Sequence, residues 1–433
     1  MVINMTLRNV KYLDRLLDAR LAQHLRSFGA VEIVGSMWCG KTWMAEAHAQ
    51  SKINLSNIGI RSLIEADLSL AFEGGKPHVI DEWQEIPALW DAVRLAVDDA
   101  GEQGLFILTG SSMPKKEEVS HSGTGRISRL HLRPMSLFEA GYSDGAVSLS
   151  ALFNGDFNSK RVKTDAIGIA DMICKGGWPG ILHIQPSDAE LIPLQYLDTL
   201  ISSIGKKNTA NEYKLRRFLF SLARNIGQSV TYHGMASDIV EGDITVKRDI
   251  ASRQDIETML VTFKERFIIE DLCGWDAPVR SKSRVRVKPK RSFVDPSLPA
   301  ALLGVNKERL LQDGQLFGKL FEELCLRDLR IYTSCMKLAL PDSVKYYRDS
   351  DNLEVDAIIE LRDGRWAAIE IKLGENKVAE GVANLLRLKN KVLANPLAQN
   401  PEPAFMAVLV GLTEFCRMTP EGIYVIPCTA LTA

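Results

Sequence analysis

Short apolar runs alternate with helix-forming stretches along the first third of the chain. The apolar runs lie near residues 31, 53, 79, 105 and 129, and amphipathic or helix-rich sequence separates them. Strands that alternate with helices are typical of a parallel sheet covered on both faces. The pattern therefore predicts an α/β domain over residues 1–145.

The periodicity changes twice in the remainder of the chain. From residue 165 to 275 apolar positions recur at helical spacing, most clearly between Tyr213 and Ile226. The segments TYHGMASDI and TVKRDIASRQDIETMLVTFKERFIIEDL then predict two helices and a β-ribbon of the winged-helix type. After residue 301 an amphipathic helix, a β-hairpin and another helix follow one another. We therefore expect domains at 1–145, 146–300 and 301–433.

The loop GSMWCGKT follows the first apolar run and matches the phosphate-binding pattern G-x-x-x-x-G-K-[ST]. A strand that precedes such a loop and a helix that follows it present backbone N–H groups and a positive helix end to an anion. A glycine-rich turn without a ligand is the alternative. The loop predicts an ATP site made by Gly35, Ser36, Met37, Trp38, Cys39, Gly40, Lys41, Thr42 and Trp43.

Polar residues at the ends of two later strands suggest the groups that hydrolysis requires. In HVIDEW, Asp81 is expected to hold Mg²⁺ together with Thr42, and Glu82 to orient or deprotonate the attacking water. Thr109 ends the strand FILT, at the edge where parallel sheets bind ligands. Arg126 is a candidate arginine finger for its own or a neighbouring subunit. The alternatives are an exposed Asp-Glu pair at a strand end, ordinary strand-end capping by the threonine, and a solvated arginine at the last position.

Composition excludes several classes of protein and leaves local features to identify partners. The 433 residues are 46% apolar and 25% charged, with a net charge of −1, so no global field steers the chain to DNA or a membrane. The seven cysteines are scattered, the seven histidines have no ligand spacing, and no apolar run approaches 18 residues. We expect a cytoplasmic protein without structural zinc or a membrane span.

Two features suggest DNA as a partner. The segment from Arg280 to Arg291 contains seven lysines or arginines and no acid, which predicts a strand with cations along one face, suited to a phosphate backbone. The alternative is an edge strand whose charges prevent aggregation. In the expected winged helix, Arg248, Arg253 and Gln254 would lie near or on the second helix, where such domains often contact DNA. Winged helices also serve as protein-interaction modules.

The C-terminal third contains a second set of candidate ligands. Glu322 lies on the amphipathic helix, Asp356 on a strand, and Glu370 and Lys372 share one face of the next strand. We expect the helix of Glu322 to cover the face of Glu370 and Lys372. The four groups would then hold Mg²⁺ or Mn²⁺ through the carboxylates, while the lysine prepares water for attack on a phosphodiester. The alternative is mutual pairing in a vestigial site.

Taken together, the motifs resemble those of prokaryotic AAA-type ATPases that end in the domain of unknown function 4143. The resemblance covers nearly the whole chain and is carried, in order, by the phosphate loop, VIDEWQEIP, ILTGSS, GRISRLHLRPMSLFEAG, GGWPG, ARNIGQSV, FVDPSL, GKLFEE, YYRD, EVDAII and IEIK. It implies a P-loop ATPase core, a winged-helix-like middle and a C-terminal α/β fold similar to restriction endonucleases of the PD-(D/E)xK type.

The chain departs from that family at the phosphate loop and at one later position. Met37, Trp38, Cys39 and Trp43 replace residues that are common in the loop, and Ser56 stands where an aspartate is frequent. The leading hypothesis is a DNA-associated ATPase with an active or vestigial nuclease-like module, which would be able to oligomerise. The alternative is a nucleotide-dependent switch that binds a protein partner.

Overall fold

The computed structural model describes residues 12–111, 122–206, 208–228, 230–239, 251–278 and 280–433. The chain divides into two compact units. The first extends to Met135 and includes Trp178–Gly180 and Glu265–Phe267, and the second contains Ser136–Gly177, Ile181–Lys264 and Ile268–Ala433. The three-part division drawn from the sequence stays a prediction.

The first unit is built around a five-stranded parallel sheet with the strand order β2-β3-β4-β1-β5. Its strands lie at the five positions that the apolar runs predicted, so that prediction is confirmed. The elements are α1 (Asp18–Ser27), β1 (Ala30–Val34), α2 (Lys41–Ala47), β2 (Ser51–Asn54), α3 (Ile58–Ala66), β3 (His78–Asp81), α4 (Leu89–Ala100), β4 (Phe106–Gly110) and β5 (Ile127–His131).

Burial explains why these short runs form strands. Every residue of β1, β3 and β4 is buried, as expected for the middle of a parallel sheet. Helix α4 packs Val93 and Val97 into the same core as Ile80 and Leu108. This placement brings the carboxyl ends of β1, β3 and β4 to one edge of the sheet.

The second unit combines helices with a seven-stranded sheet. Its helices are α5 (Leu149–Leu152), α6 (Ala166–Lys175), α7 (Pro186–Ala189), α8 (Leu191–Gly205), α9 (Thr209–Arg224), α10 (Tyr232–Asp238), α11 (Arg253–Glu265), α12 (Ser283–Arg286), α13 (Ser297–Leu302), α14 (Lys307–Gln312), α15 (Gly314–Cys335) and α16 (Val378–Leu393). Its strands are β6 (Val147–Ser148), β7 (Lys160–Arg161), β8 (Ile269–Leu272), β9 (Lys290–Phe293), β10 (Ala339–Arg348), β11 (Glu354–Leu361), β12 (Trp366–Gly374), β13 (Phe405–Leu412), β14 (Phe415–Met418), β15 (Tyr424–Pro427) and β16 (Leu431–Thr432).

The large sheet of the second unit has the order β10-β11-β12-β13-β15-β14-β7. Strands β12, β13 and β15 are parallel, and the remaining neighbours are antiparallel. The helices α15 and α16 cover opposite faces of this sheet. A Cβ added to Gly381 of α16 would lie 3.3 Å from the Glu370 Cβ, whereas one added to Gly411 of β13 would lie 3.2 Å from the Phe321 ring of α15.

The expected basic strand from 280 to 291 does not form as a continuous strand. The segment contains the short helix α12, and only β9 at its end pairs with β8, in antiparallel register. Arg284 explains much of this difference, because its guanidinium folds inward to pair with Glu360 at 2.7 Å. The strand prediction is therefore wrong, while DNA contact stays a prediction. Arg248 lies outside the described residues.

None of the helices within the described ranges combines the length and apolar character needed to cross a membrane.

Candidate nucleotide site and carboxylate cluster

The loop after β1 has glycine at the two motif positions where the backbone requires it. A Cβ on Gly35 would lie 2.1 Å from the Leu132 carbonyl oxygen, so only glycine fits there. Gly40, at φ 101°, turns the chain directly into α2. Trp38 points outward and is 58% exposed, whereas Cys39 is buried. Its φ of 64° is a left-handed conformation that bulky residues rarely adopt.

Lys41 and Ser36 provide the polar interior of this loop. The buried Lys41 Nζ donates to the carbonyl oxygens of Gly35, at 3.0 Å, and Ser36, at 2.8 Å. The Ser36 hydroxyl is itself buried and has no hydrogen-bond partner. Since buried polar groups are nearly always paired, an orphaned hydroxyl beside a buried ammonium fits a phosphate ligand.

The ends of β3 and β4 place the proposed metal-binding and water-orienting groups next to α2. Thr42 Oγ1 donates to Asp81 Oδ1 at 2.8 Å, and Thr109 Oγ1 donates to the same carboxylate oxygen. Asp81 and Thr109 are register partners in the sheet. The Glu82 N–H donates to Thr109 Oγ1 at 3.2 Å, and Ser111 donates to the Glu82 carboxylate at 3.3 Å.

Glu82 has an unusual backbone conformation for a glutamate. Its φ of 58° and ψ of 45° place it in the left-handed region. Non-glycine residues in this region cost about 1–3 kcal/mol and cluster at functional sites. The Glu82 carboxylate lies beside Ser111 and Gln84, and both side chains donate to it.

Arg126 lies at the opposite edge of the sheet from the phosphate loop. Its carbonyl accepts from the Ala30 N–H at the start of β1, whereas the loop follows Val34 at the end of that strand. Five strand residues span roughly 16 Å, and the Arg126 guanidinium pairs with Asp98 at 2.7 Å. A role within its own subunit is therefore incompatible with this geometry, and a role in a neighbouring subunit stays a prediction.

Arg15 is a contact residue of the loop that the sequence did not suggest. It is 6% exposed, and it donates to the carbonyl oxygens of Cys39, at 2.9 Å, and Arg133, at 2.8 Å. The first bond holds the loop and the second holds the chain that leaves β5. No sequence motif marks these contacts, because their partners lie 24 and 118 residues away.

The second unit brings three of the four predicted C-terminal residues into direct contact. The Lys372 Nζ lies 2.5 Å from Glu370 Oε2 and 3.7 Å from Asp356 Oδ2. Asp356 also accepts from the Ile371 N–H at 2.8 Å. The pairing of β11 with β12 produces this arrangement, as the hairpin predicted.

Glu322 lies on α15, which packs against the opposite face of the sheet from this group. The helix that packs against the face of Glu370 is α16, since the two-residue period of β12 turns that face away from α15. Glu322 pairs instead with Lys290 of β9, at 3.4 Å, and Lys290 lies 2.5 Å from Glu354. The expectation that the helix of Glu322 covers Glu370 and Lys372 is wrong.

Burial and mutual repulsion dominate the electrostatics of these groups, which we call the carboxylate cluster: Glu322, Glu354, Asp356 and Glu370 with Lys290 and Lys372. Burial, reinforced by Asp356, raises the pKa of Glu370 to about 9 and that of Glu322 to about 7. Burial opposes the charge on Lys290, but the surrounding carboxylates outweigh it and raise its pKa.

The fit of a metal ion to this cluster is mixed. The Glu370 Oε1 atom is buried without a hydrogen-bond partner, which fits a further cation. However, no three carboxylate, imidazole or thiol groups in the described residues converge so that they would hold a metal ion. The metal site predicted from Glu322, Asp356 and Glu370 stays a prediction.

Three family models match successive parts of the chain. Residues 27–141 match an AAA domain, residues 168–309 match a domain of unknown function designated 8612, and residues 317–431 match the domain of unknown function 4143. Two relatives, the uncharacterized proteins Mb2031c of Mycobacterium bovis and Rv2008c of Mycobacterium tuberculosis, are each 23% identical over 365 residues. Those alignments cover 82% of this chain and 72% of each relative.

Two solved structures share a distant likeness with the chain. The Walker-type ATPase PABY2304 of Pyrococcus abyssi is 13% identical, with a TM-score of 0.42 and coverage of 70% of this chain and 100% of that one. The ORC1 protein of Aeropyrum pernix in complex with DNA is 11% identical, with a TM-score of 0.22 and coverage of 69% and 94%. The family matches and the loop geometry support an AAA-type P-loop ATPase domain followed by the domain of unknown function 4143.

Proposed function

We propose that the chain binds ATP and hydrolyses it with Mg²⁺. The observation that carries this proposal is the hydrogen-bonded series Thr42–Asp81–Thr109 beside the buried Lys41 amine. Those groups come from the loop and from two neighbouring strand ends, which is where P-loop ATPases need a metal-binding hydroxyl, a carboxylate and a γ-phosphate contact.

Each residue has a distinct role in this proposal. The loop N–H groups and Lys41 bind the phosphates, while Thr42 and Asp81 would hold Mg²⁺, which neutralises phosphate charge when bound. Glu82 orients the attacking water and accepts its proton. Thr109 holds the Glu82 backbone in place through its hydroxyl and keeps Asp81 oriented.

Three variants test the proposal. Glu82→Gln should bind ATP with unchanged affinity and hydrolyse it at least 100-fold more slowly, whereas Lys41→Ala should also lose binding. Glu85→Gln is the matched control, because Glu85 lies in the same turn but pairs with Arg61. Hydrolysis by Glu82→Gln at the parental rate in a phosphate-release assay would remove Glu82 from the mechanism.

A second candidate function is metal-dependent cleavage of a phosphodiester by the C-terminal module, similar to PD-(D/E)xK nucleases. The contact of Asp356 and Glu370 with Lys372 on neighbouring strands supports it. The element order α15-β10-β11-β12-α16-β13, with one helix on each face, also suits that fold. The test is incubation of plasmid DNA with Mn²⁺ or Mg²⁺, with and without ATP. Nicking that Asp356→Ala abolishes supports it, and its absence from the parent favours a switch without nuclease activity.

DNA is the partner expected for this second function. Arg280, Lys282 and Lys288 stay exposed in the otherwise irregular segment before β9. The helices α9 to α11 and the ribbon β8–β9 suit a winged-helix-like arrangement, which would place Arg253 and Gln254 at the start of α11. A protein partner on the same surface is the alternative, and binding measurements with duplex DNA separate the two.

A further inference from the structure

A buried lysine lies within the carboxylate cluster. Lys290, the first residue of β9, is 4% exposed. Its ammonium pairs with Glu354 at 2.5 Å and with Glu322 at 3.4 Å, and it lies 5.2 Å from the centre of the Tyr346 ring. These contacts fix the ammonium in one place.

Asp356 connects this lysine to the rest of the cluster. Its charge raises the pKa of Lys290 and of Glu322, so the three groups lie within electrostatic reach of one another. Asp356 also lies 3.7 Å from Lys372, which pairs with Glu370. Four carboxylates therefore share two ammonium groups and the guanidinium of Arg348, which lies 3.8 Å from Glu354, so the formal charges of the acids exceed those of the cations by one.

The cluster needs positive charge in order to be buried. A carboxylate removed from water without a partner costs several kcal/mol, and the neighbouring carboxylates add repulsion. Lys290 supplies part of the charge that a divalent cation would otherwise supply. An ammonium and a divalent cation held a few ångströms apart in a buried site would repel each other strongly.

We propose that Lys290 is the resident cation of the carboxylate cluster, and that a divalent metal binds there only when the Lys290 side chain is withdrawn or removed. This inference rests on the proposed metal-dependent role of Glu322, Asp356 and Glu370. Lys290 acts as a positioning residue that holds Glu322 and Glu354.

The location of Lys290 adds a means of control. Lys290 belongs to the segment that matches domain 8612, whereas the carboxylates belong to the segment that matches domain 4143. A partner that displaces the ribbon β8–β9 would withdraw the ammonium and expose the carboxylates to metal. The middle segment thereby regulates the C-terminal site.

The test is Mn²⁺ titration of the full chain by calorimetry, together with the melting temperature as a function of Mn²⁺. Lys290→Met should bind Mn²⁺ at least tenfold more tightly than the parent, and its melting temperature should rise with Mn²⁺. Lys345→Met is the matched control, because Lys345 pairs with Glu360 at 3.3 Å outside the cluster, and it should behave as the parent. If Lys290→Met does not fold, Lys290→Gln is used in its place, because glutamine keeps a hydrogen-bond donor for Glu354.

The outcomes separate this inference from the proposed function. Tight and equal binding by parent and Lys290→Met would overturn the role of Lys290 and leave the metal site standing. No binding by either protein would overturn both. Binding by Lys290→Met that Asp356→Asn then abolishes supports both.

Discussion

Arg15 holds the phosphate loop although it lies outside it. Its guanidinium donates to carbonyl oxygens of the loop and of the segment after β5, and it is almost fully buried. Hydrogen bonds from charged donors contribute about 1.5–3 kcal/mol each. A loop that loses this support would have to be ordered by the nucleotide itself, which lowers affinity.

We therefore predict that Arg15→Met weakens ATP binding by about tenfold or more, measured by calorimetry on the folded variant. Arg20→Met on α1 is the control, because Arg20 donates only to the nearby Gln23 among its described contacts. A lower melting temperature with unchanged ATP affinity would limit Arg15 to a structural role.

We expect His78 to make the stability of the first unit depend on pH. The side chain is buried at the start of β3, and its Nδ1 lies 2.6 Å from Ser51 Oγ. Burial, assisted by Lys76, lowers its pKa to about 4. Because the folded-state pKa lies below the unfolded value of about 6.5, the unfolded chain binds more protons between these pH values.

The contribution of His78 is thus fully present above about pH 6.5 and is lost as the pH falls towards 4. We predict a slope of up to about 1.4 kcal/mol per pH unit in this window, which His78→Gln should remove. Urea unfolding at several pH values measures it. Parallel pH profiles for parent and variant would contradict the assignment.

At the scale of elements, the segment before β9 places its cations in two different environments. Arg284 and Lys290 turn inward to pair with glutamates, while Arg280, Lys282 and Lys288 remain exposed. A continuous strand would have placed alternate residues on one face. The inward ion pairs and the helix α12 break that regularity.

For DNA binding, this division predicts which cations matter. Replacing the three exposed residues by alanine should flatten the log–log salt dependence of duplex binding by up to about 0.9 per lost phosphate contact. Arg284→Ala should leave that slope unchanged and lower the melting temperature, because Glu360 loses two hydrogen bonds from the guanidinium and keeps Lys345, at 3.3 Å, as a partner. Fluorescence anisotropy at several salt concentrations gives the slope. A flatter slope in Arg284→Ala together with an unchanged slope in the triple variant would show that the inward cations contact DNA.

At the scale of the molecule, a buried ionic network joins distant segments of the second unit. Arg327 of α15 donates to Asp295, at 2.8 Å, and to the neighbouring Asp328. Asp295 also accepts from the Gly177 N–H, and Asp328 from the Leu137 N–H. The network thereby joins α15 to three segments that are distant in sequence.

Arg327→Met would leave two buried carboxylates without their charged partner. We predict a loss of about 3–5 kcal/mol in the free energy of unfolding, measured in urea. Arg253→Met is the control, because the pair of Arg253 with Glu257 is exposed and should change stability little. A similar loss of unfolding free energy in both variants would show that burial does not determine the cost of breaking an ion pair.

The sequence by itself determined the local features of this protein. Apolar periodicity located the five strands of the first unit, since each run is long enough to cross a buried sheet. The order strand, glycine loop, helix placed Lys41 and Thr42, and a strand end placed Asp81. These predictions succeed because their physical causes lie within a few residues of chain.

Only the tertiary structure decided how distant residues combine. It placed Arg126 at the wrong edge of its own sheet, separated Glu322 from the face of Glu370, and buried Lys290 among acids. Each outcome depends on which helix covers which face and on charge pairing across large sequence separations. Periodicity assigns residues to faces of one element, but it does not specify the element that packs against them.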